Sequence, residues 1–210
     1  MSVLENLQTN LINGKIELVK GYMKEAIESG LAPRDILNNG LLKGMEEVGR
    51  RFKNNEFYVP EVLIAARAMH AGMEILKPLL VDTGVKPVGR VAIGTVKGDL
   101  HDIGKNLVSM MLEGGGFEVI DLGVDVSPDK FISAINQGVQ LIGMSALLTT
   151  TMMSMKTTIQ AIDVANLRDK VKIMVGGAPV TVAFSQEIKA DGYAADAASA
   201  VDLAKSLLTI

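Results

Sequence analysis

The sequence predicts an α/β protein in two parts, a four-helix bundle at the N-terminus and a doubly wound, five-stranded parallel sheet after it. Three observations carry this. From residue 2 to residue 80, apolar side chains recur at three- and four-residue spacing. From residue 91 onward, short β-branched runs alternate with helical stretches. Between the two patterns, Val81-Asp82-Thr83-Gly84-Val85-Lys86-Pro87-Val88-Gly89-Arg90 holds two glycines and a proline and no periodicity, which marks a linker. The expected division is a bundle with its linker over residues 1–87 and a sheet domain over residues 88–210.

Helices are predicted near 2–11, 15–29, 33–52 and 59–80. Pro33 and Pro60 stand in first turns, where a missing N–H leaves no bond unmade. In the last of these helices Val59, Val62, Ala66, Met69, Met73, Leu76 and Leu80 form one apolar seam. Gly40 with Gly44, and Ala68 with Gly72, put small residues one turn apart, so that helices can approach closely. Short connections between four helices predict an antiparallel bundle. In the second part, strands are predicted at 91–96, 117–122, 141–145, 171–175 and, more weakly, 192–194. Helices are predicted near 104–114, 128–137, 152–168, 180–190 and 197–208. Ser127-Pro128 reads as an N-cap followed by proline at the first helical position, and Gly114-Gly115-Gly116 as a helix stop. Strands that are apolar on both faces and alternate with helices predict a parallel sheet covered on both sides, flavodoxin- or Rossmann-like. Such a sheet binds its ligand beyond the carboxyl ends of its strands, at a switch point.

Composition excludes several classes. A chain with 48% hydrophobic and 21% charged residues is an ordinary globular protein. Residues 1–88 carry 11 Lys and Arg against 11 Asp and Glu, and residues 89–210 carry 10 against 13. Neither part is basic, so no electrostatic footprint for nucleic acid or an anionic membrane exists. No apolar run reaches the roughly 20 residues that span a bilayer, and Met1-Ser2-Val3-Leu4-Glu5 is not a secretory signal. With no cysteine there is no disulfide, thiolate zinc site or iron–sulfur cluster. The expectation is a cytoplasmic protein without nucleic-acid or membrane partners.

The loops after the first, third and fourth strands should line the crevice. They read Lys97-Gly98-Asp99-Leu100-His101-Asp102-Ile103-Gly104-Lys105-Asn106, Ser145-Ala146-Leu147-Leu148-Thr149-Thr150-Thr151 and Gly176-Gly177-Ala178-Pro179. Neither a P-loop nor a Gly-x-Gly-x-x-Gly turn is among them. A receiver-type site would need a phosphoryl-accepting aspartate where the third strand ends in Ser145. The only histidines are His70 and His101, too few to hold a bare zinc or di-iron centre. One histidine backed by a carboxylate suffices, however, when the metal arrives inside a macrocycle. His101 between Asp99 and Asp102 therefore points to a tetrapyrrole with one axial protein ligand. The methionines Met110, Met111, Met144, Met152, Met153 and Met155 read as adaptable core packing.

Asp99-x-His101-x-x-Gly104, then Ser145-x-Leu147, then Gly176-Gly177, resembles the cobalamin-binding signature in residue type, order and spacing. The helical part, with Phe57-Tyr58-Val59-Pro60-Glu61-Val62-Leu63 followed by Ala65-Ala66-x-Ala68-Met69, resembles the cap that precedes this domain in methylcobalamin proteins. The resemblance covers nearly the whole chain. It points to the stand-alone corrinoid proteins of methanol, methylamine and glycine-betaine methyltransferase systems, and the chain is also similar to the cobalamin module of methionine synthase.

This resemblance implies a base-off corrinoid, cobalamin or a relative, with His101 as the lower cobalt ligand and Asp99 on the distal ring nitrogen. Thr151 occupies the place of the serine that extends the relay in methionine synthase, so Asp99, His101 and Thr151 are the implied catalytic set. Gly98, Leu100, Asp102, Ile103 and Gly104 complete the first loop's cofactor contacts. Ser145, Leu147 and Thr149 would line the nucleotide-tail pocket, with Gly176, Gly177 and Ala178 letting the tail approach the backbone. Tyr193, Ala194 and Asp196 would border the nucleotide base. Tyr58 and Met69 would face the cofactor from the cap. The implied function is that of a methyl carrier, a subunit of a multi-component system rather than an autonomous enzyme. It would take a methyl group as Co(I) from a substrate:corrinoid methyltransferase and deliver it as methyl-Co(III) to a corrinoid:acceptor methyltransferase acting on a thiol or a tetrahydrofolate-type pterin. A reductive activase would be a further partner. The alternatives are the small subunit of an adenosylcobalamin mutase, which lacks a helical cap, and a cobalamin-dependent regulator.

Overall fold

The computed structural model describes residues 1–209. The chain divides into two compact units, Met1–Pro87 together with Gly114–Gly116, and Val88–Glu113 together with the chain from Phe117 onward.

The helical unit contains α1 (Val3–Ile12), α2 (Ile16–Glu28), α3 (Pro33–Ile36), α4 (Lys43–Lys53) and α5 (Val59–Asp82). A reciprocal capping box opens α1: the Ser2 N–H donates to Glu5 and the Glu5 N–H donates to the Ser2 hydroxyl. Glycines set the helix spacing as expected. A Cβ at Gly40 would lie 2.7 Å from Leu7 Cδ2, and one at Gly72 would lie 2.9 Å from Leu41 Cδ2. The apolar seam of α5 is buried at Val62, Ala66, Met69, Leu76 and Leu80, while Met73 is half-buried and the first member, Val59, is exposed.

The helix predicted over 33–52 is not one α-helix. Leu37–Leu42 widens into a π-helical segment between α3 and α4. Asn38, Asn39 and Gly40 are weak helix formers, and the side-chain amide of Gln8 donates to the Asn39 carbonyl. Tertiary contact with α1 thus overrides a regular apolar period.

The second unit holds β1 (Arg90–Thr95), α6 (Ile103–Gly114), β2 (Glu118–Asp121), α7 (Pro128–Asn136), β3 (Leu141–Ser145), α8 (Met153–Val164), β4 (Lys172–Gly176), α9 (Val182–Glu187), β5 (Gly192–Tyr193) and α10 (Ala197–Leu207). The strands pair in parallel in the order β2-β1-β3-β4-β5. Right-handed crossovers then place α6 on one face and α7, α8 and α9 on the other. Phe131, Ile142, Met155, Ile159, Ile162 and Ile173 sit in the core between the latter face and its helices. The expected helices at 152–168 and 180–190 both end early. Asn166 (φ 54°) and Lys189 (φ 60°) adopt left-handed backbone that stops a helix. Ser127 takes the extended cap position before Pro128, but its hydroxyl makes no capping bond.

This strand order reverses direction between β1 and β3, so the switch point falls between the loops that follow them.

One charged network organises the corner between α4 and α5. Arg50 makes two bonds to Glu47, at 2.7 and 2.8 Å, and Arg51 Nε makes another at 2.7 Å. Arg50 also reaches Glu56, and the Arg51 guanidinium lies 5.1 Å from the centre of the Phe57 ring. Hydrogen bonds from Arg50 and Arg51 hold the Glu47 carboxyl down at about 2. A carboxylate whose folded pKa is depressed contributes stability that is complete above its ordinary value and lost as pH falls toward the folded one. Glu47→Gln should therefore cost about 0.5–1 kcal/mol at pH 7. In urea titrations at a series of pH values, the gap from wild type should close as pH falls from about 4.5 toward 2.

Candidate functional site

β1 ends at Thr95, and the chain leaves the sheet through Val96 and Lys97 into a turn at Gly98, whose φ of 85° suits glycine. Asp99 follows and is fully buried. Its carboxylate collects donors from two loops. Oδ1 accepts the His101 backbone N–H at 3.1 Å and stands 2.7 Å from His101 Nδ1. Oδ2 accepts the Leu147 N–H at 2.8 Å, the Leu148 N–H at 3.3 Å and the Thr151 hydroxyl at 2.6 Å. Burial raises the Asp99 pKa, but the bonds from Thr151, His101 and the backbone outweigh it and hold the carboxyl far below the usual range.

An ionised carboxylate can only accept, so the proton in the 2.7 Å contact belongs to Nδ1. In the neutral ring this leaves Nε2 with its lone pair free, on the side away from Asp99. The imidazole is half exposed. The Thr95 hydroxyl fixes the loop further by donating to the His101 carbonyl at 2.8 Å.

Among the described residues no group of three or more His, Cys, Asp or Glu side chains could hold a metal ion. The surroundings suit a metal delivered within a large apolar ring. Leu100 and Ile103 beside His101 are 72% and 80% exposed, and Leu147 and Leu148 on the neighbouring loop are also exposed. Gly104, the second residue of α6, has open space where a Cβ would project. Such a cluster of apolar side chains on a loop surface marks a binding face.

The other predicted residues fall into several groups along the chain. Ser145 ends β3, and Leu147 and Thr149 are exposed on the loop after it. Gly176 ends β4 and Gly177 follows it, with Ala178 exposed next in the chain. Both glycines have reasons within the protein itself. A Cβ on Gly177 (φ 126°) would fall 1.9 Å from the Ala146 carbonyl oxygen, and one on Gly176 would fall 3.1 Å from that of Ala194. Tyr193 closes β5 and Ala194 follows it, while Asp196 caps α10 by accepting the Ser199 N–H and hydroxyl, each at 2.8 Å. Asp102 accepts the Asn106 side-chain amide. Tyr58 and Met69 belong to the helical unit, Tyr58 exposed at the start of α5 and Met69 buried within it.

Sequence reading assigned no role to Thr95, Leu148, Lys105 or Asp125. Lys105 is buried, with Nζ 2.6 Å from both Asn106 Oδ1 and Asp121 Oδ2. A lysine directly after the Asp-x-His-x-x-Gly run was the one visible signal, since α6 turns that position inward.

A parallel sheet with an aspartate-held imidazole at its switch point, preceded by a helical unit, defines a cobalamin-binding class of protein. Residues 89–202 match a family model described as a B12 binding domain, and residues 3–77 match a second model of the same description. The chain belongs to the corrinoid protein family. It is 44% identical over 209 residues to a dimethylamine corrinoid protein of Methanosarcina barkeri, covering 98% of this chain and 97% of that one. Among solved structures it resembles a cobalamin-binding protein from Desulfitobacterium hafniense DCB-2, with TM-score 0.80, 28% identity and coverage of 97% and 98%. It also resembles a chain of the methanol:cobalamin methyltransferase complex from Methanosarcina barkeri, with TM-score 0.88, 29% identity and coverage of 99% of this chain and 80% of that one. Among the described residues, no helix is long and apolar enough to cross a membrane.

Asp99→Asn tests the site without any cofactor. An asparagine presents an N–H₂ group to donors that need an acceptor, so the substitution should cost about 2–3 kcal/mol in urea unfolding. Thr151→Ala removes one donor and should cost about 1–2 kcal/mol, with Thr151→Ser close to wild type.

Proposed function

We propose that this chain binds one corrinoid in base-off form, with His101 as the lower cobalt ligand, and carries a methyl group between two methyltransferases. One partner acts on a methylated substrate; the other serves a thiol or tetrahydrofolate-type pterin acceptor. When bound, the corrinoid supplies the cobalt centre that takes up and gives up the methyl group. The observation that carries the reading is the bond between Asp99 and His101 Nδ1, which leaves Nε2 free on an apolar, exposed loop surface.

The chain's own residues orient and hold. Asp99 fixes the ring's tautomer and plane, and Thr151 fixes Asp99. Leu100, Ile103 and Gly104 offer the surface on which the ring system rests. Ser145, Leu147 and Thr149 on one side, and Gly176 to Ala178 on the other, form the walls for the nucleotide tail, with Tyr193, Ala194 and Asp196 at its base. A reductive activase is the further partner that such a carrier requires. Similarity to a dimethylamine corrinoid protein and to a chain of a methanol:cobalamin methyltransferase complex supports a methyltransferase of small methylated compounds as the donor-side partner.

Reconstitution with cob(II)alamin and electron paramagnetic resonance tests the ligand. Wild type should show axial nitrogen coupling whose pattern changes when histidine is labelled with heavy nitrogen, and His101→Ala should lose it. Coupling that ignores the label and survives His101→Ala would rule out the assignment. With the native donor-side partner, His101→Ala should also slow methylation of the carrier.

A further inference from the structure

Asp99 secures the His101 loop to only one side. In the sheet order β1 lies between β2 and β3, and Asp99 reaches across to the loop after β3. On the other side, the loop after β2 carries Asp125. Its Oδ1 accepts the Gly98 N–H at 2.8 Å, and its Oδ2 accepts the Lys97 ammonium at 3.0 Å. Its own N–H donates to the Asp99 carbonyl at 3.0 Å. Just beyond, Val96 bridges to Val126, and the Val126 N–H donates to the Thr95 carbonyl at 2.9 Å.

The backbone at Asp125 makes the side chain's role legible. Its φ of 52° is left-handed, a conformation that suits glycine best and that Asp and Asn adopt more readily than other side chains. Gly98 opposite is left-handed as well, at 85°. A glycine at 125 would suit this backbone but would lose both carboxylate bonds to the His101 loop. The bonds from Gly98 and Lys97 hold the Asp125 carboxyl below its ordinary pKa.

We infer that Asp125 is a positioning residue for His101. It clamps residues 97–99 to the loop after β2, as Asp99 clamps the same loop to the one after β3. With both clamps closed, the loop is held from both strands flanking β1, and the height and tilt of the imidazole are fixed before any ligand arrives. The inference rests on the proposed role of His101 as cobalt ligand, and the experiment separates the two.

The variants are Asp125→Gly, which removes the carboxylate and relaxes the backbone, and Asp125→Asn, which keeps an acceptor for Gly98. Hydrogen exchange of the cofactor-free protein should show amides of residues 98–101 exchanging about tenfold faster in Asp125→Gly, with Asp125→Asn near wild type. Asp125→Gly should bind cob(II)alamin about tenfold more weakly and lose part of its histidine nitrogen coupling, and Asp125→Asn should restore most of both. In a His101→Ala background, Asp125→Gly should have no further effect on binding. Wild-type exchange and coupling in Asp125→Gly would overturn the proposal. So would an equal loss of binding in the His101→Ala background, because Asp125 would then act on the fold at large. Coupling that survives His101→Ala alone would overturn the ligand assignment, and it is read from a protein in which Asp125 is intact.

Discussion

A single buried carboxylate sets the geometry of this protein's functional edge. Burying an ionised group is costly unless nearly every lone pair finds a donor. Asp99 meets that condition with donors from two loops about fifty residues apart in sequence, at Leu147, Leu148 and Thr151 on one and at His101 on its own. The bonds are mutual constraints: a loop that moved would strand the charge. A side chain that is half exposed is in this way given the orientation of a buried one.

The sheet makes the arrangement possible. Parallel pairing in the order β2-β1-β3-β4-β5 brings the ends of β1, β3 and β4 to one edge. The registers Thr95 with Ser145 and Ser145 with Gly176 align those ends residue by residue. Gly177 then lets the strand-four loop pass against the Ala146 carbonyl, a contact that any side chain would block. Buried Lys105, paired with Asp121, ties the first turn of α6 to the end of β2. Core packing thereby fixes where the loops begin, and hydrogen bonds fix where they go.

Much of this was legible in the sequence because it rests on local period and chemistry. The switch from helical to alternating pattern marked where helices give way to strands, and β-branched runs located the strands. His101 stood out because the chain has only two histidines and this one lies on a predicted crevice loop between Asp99 and Asp102. Thr151 came through likeness to a known family, since nothing in its local sequence separates it from Thr149 and Thr150. What was not legible depends on contacts between distant residues. The π-helical segment at 37–42 arises from packing against α1, which an apolar period cannot encode. The need for glycine at 177 against the Ala146 carbonyl, and the tight approach of Gly176 to Ala194, are likewise contacts that no local pattern encodes. Asp125 was invisible because its partners, Lys97 and Gly98, lie 28 and 27 residues away on a loop that only the sheet order brings near.

The most direct test of the account is the tautomer of His101 in the cofactor-free protein. Nitrogen chemical shifts of the neutral imidazole distinguish a proton on Nδ1 from one on Nε2. His70, the only other histidine, is removed from the spectrum by substitution. The account predicts a proton on Nδ1, held by Asp99, with Nε2 bare, and a loss of this preference in Asp99→Asn. A proton on Nε2 in the wild-type protein would contradict it.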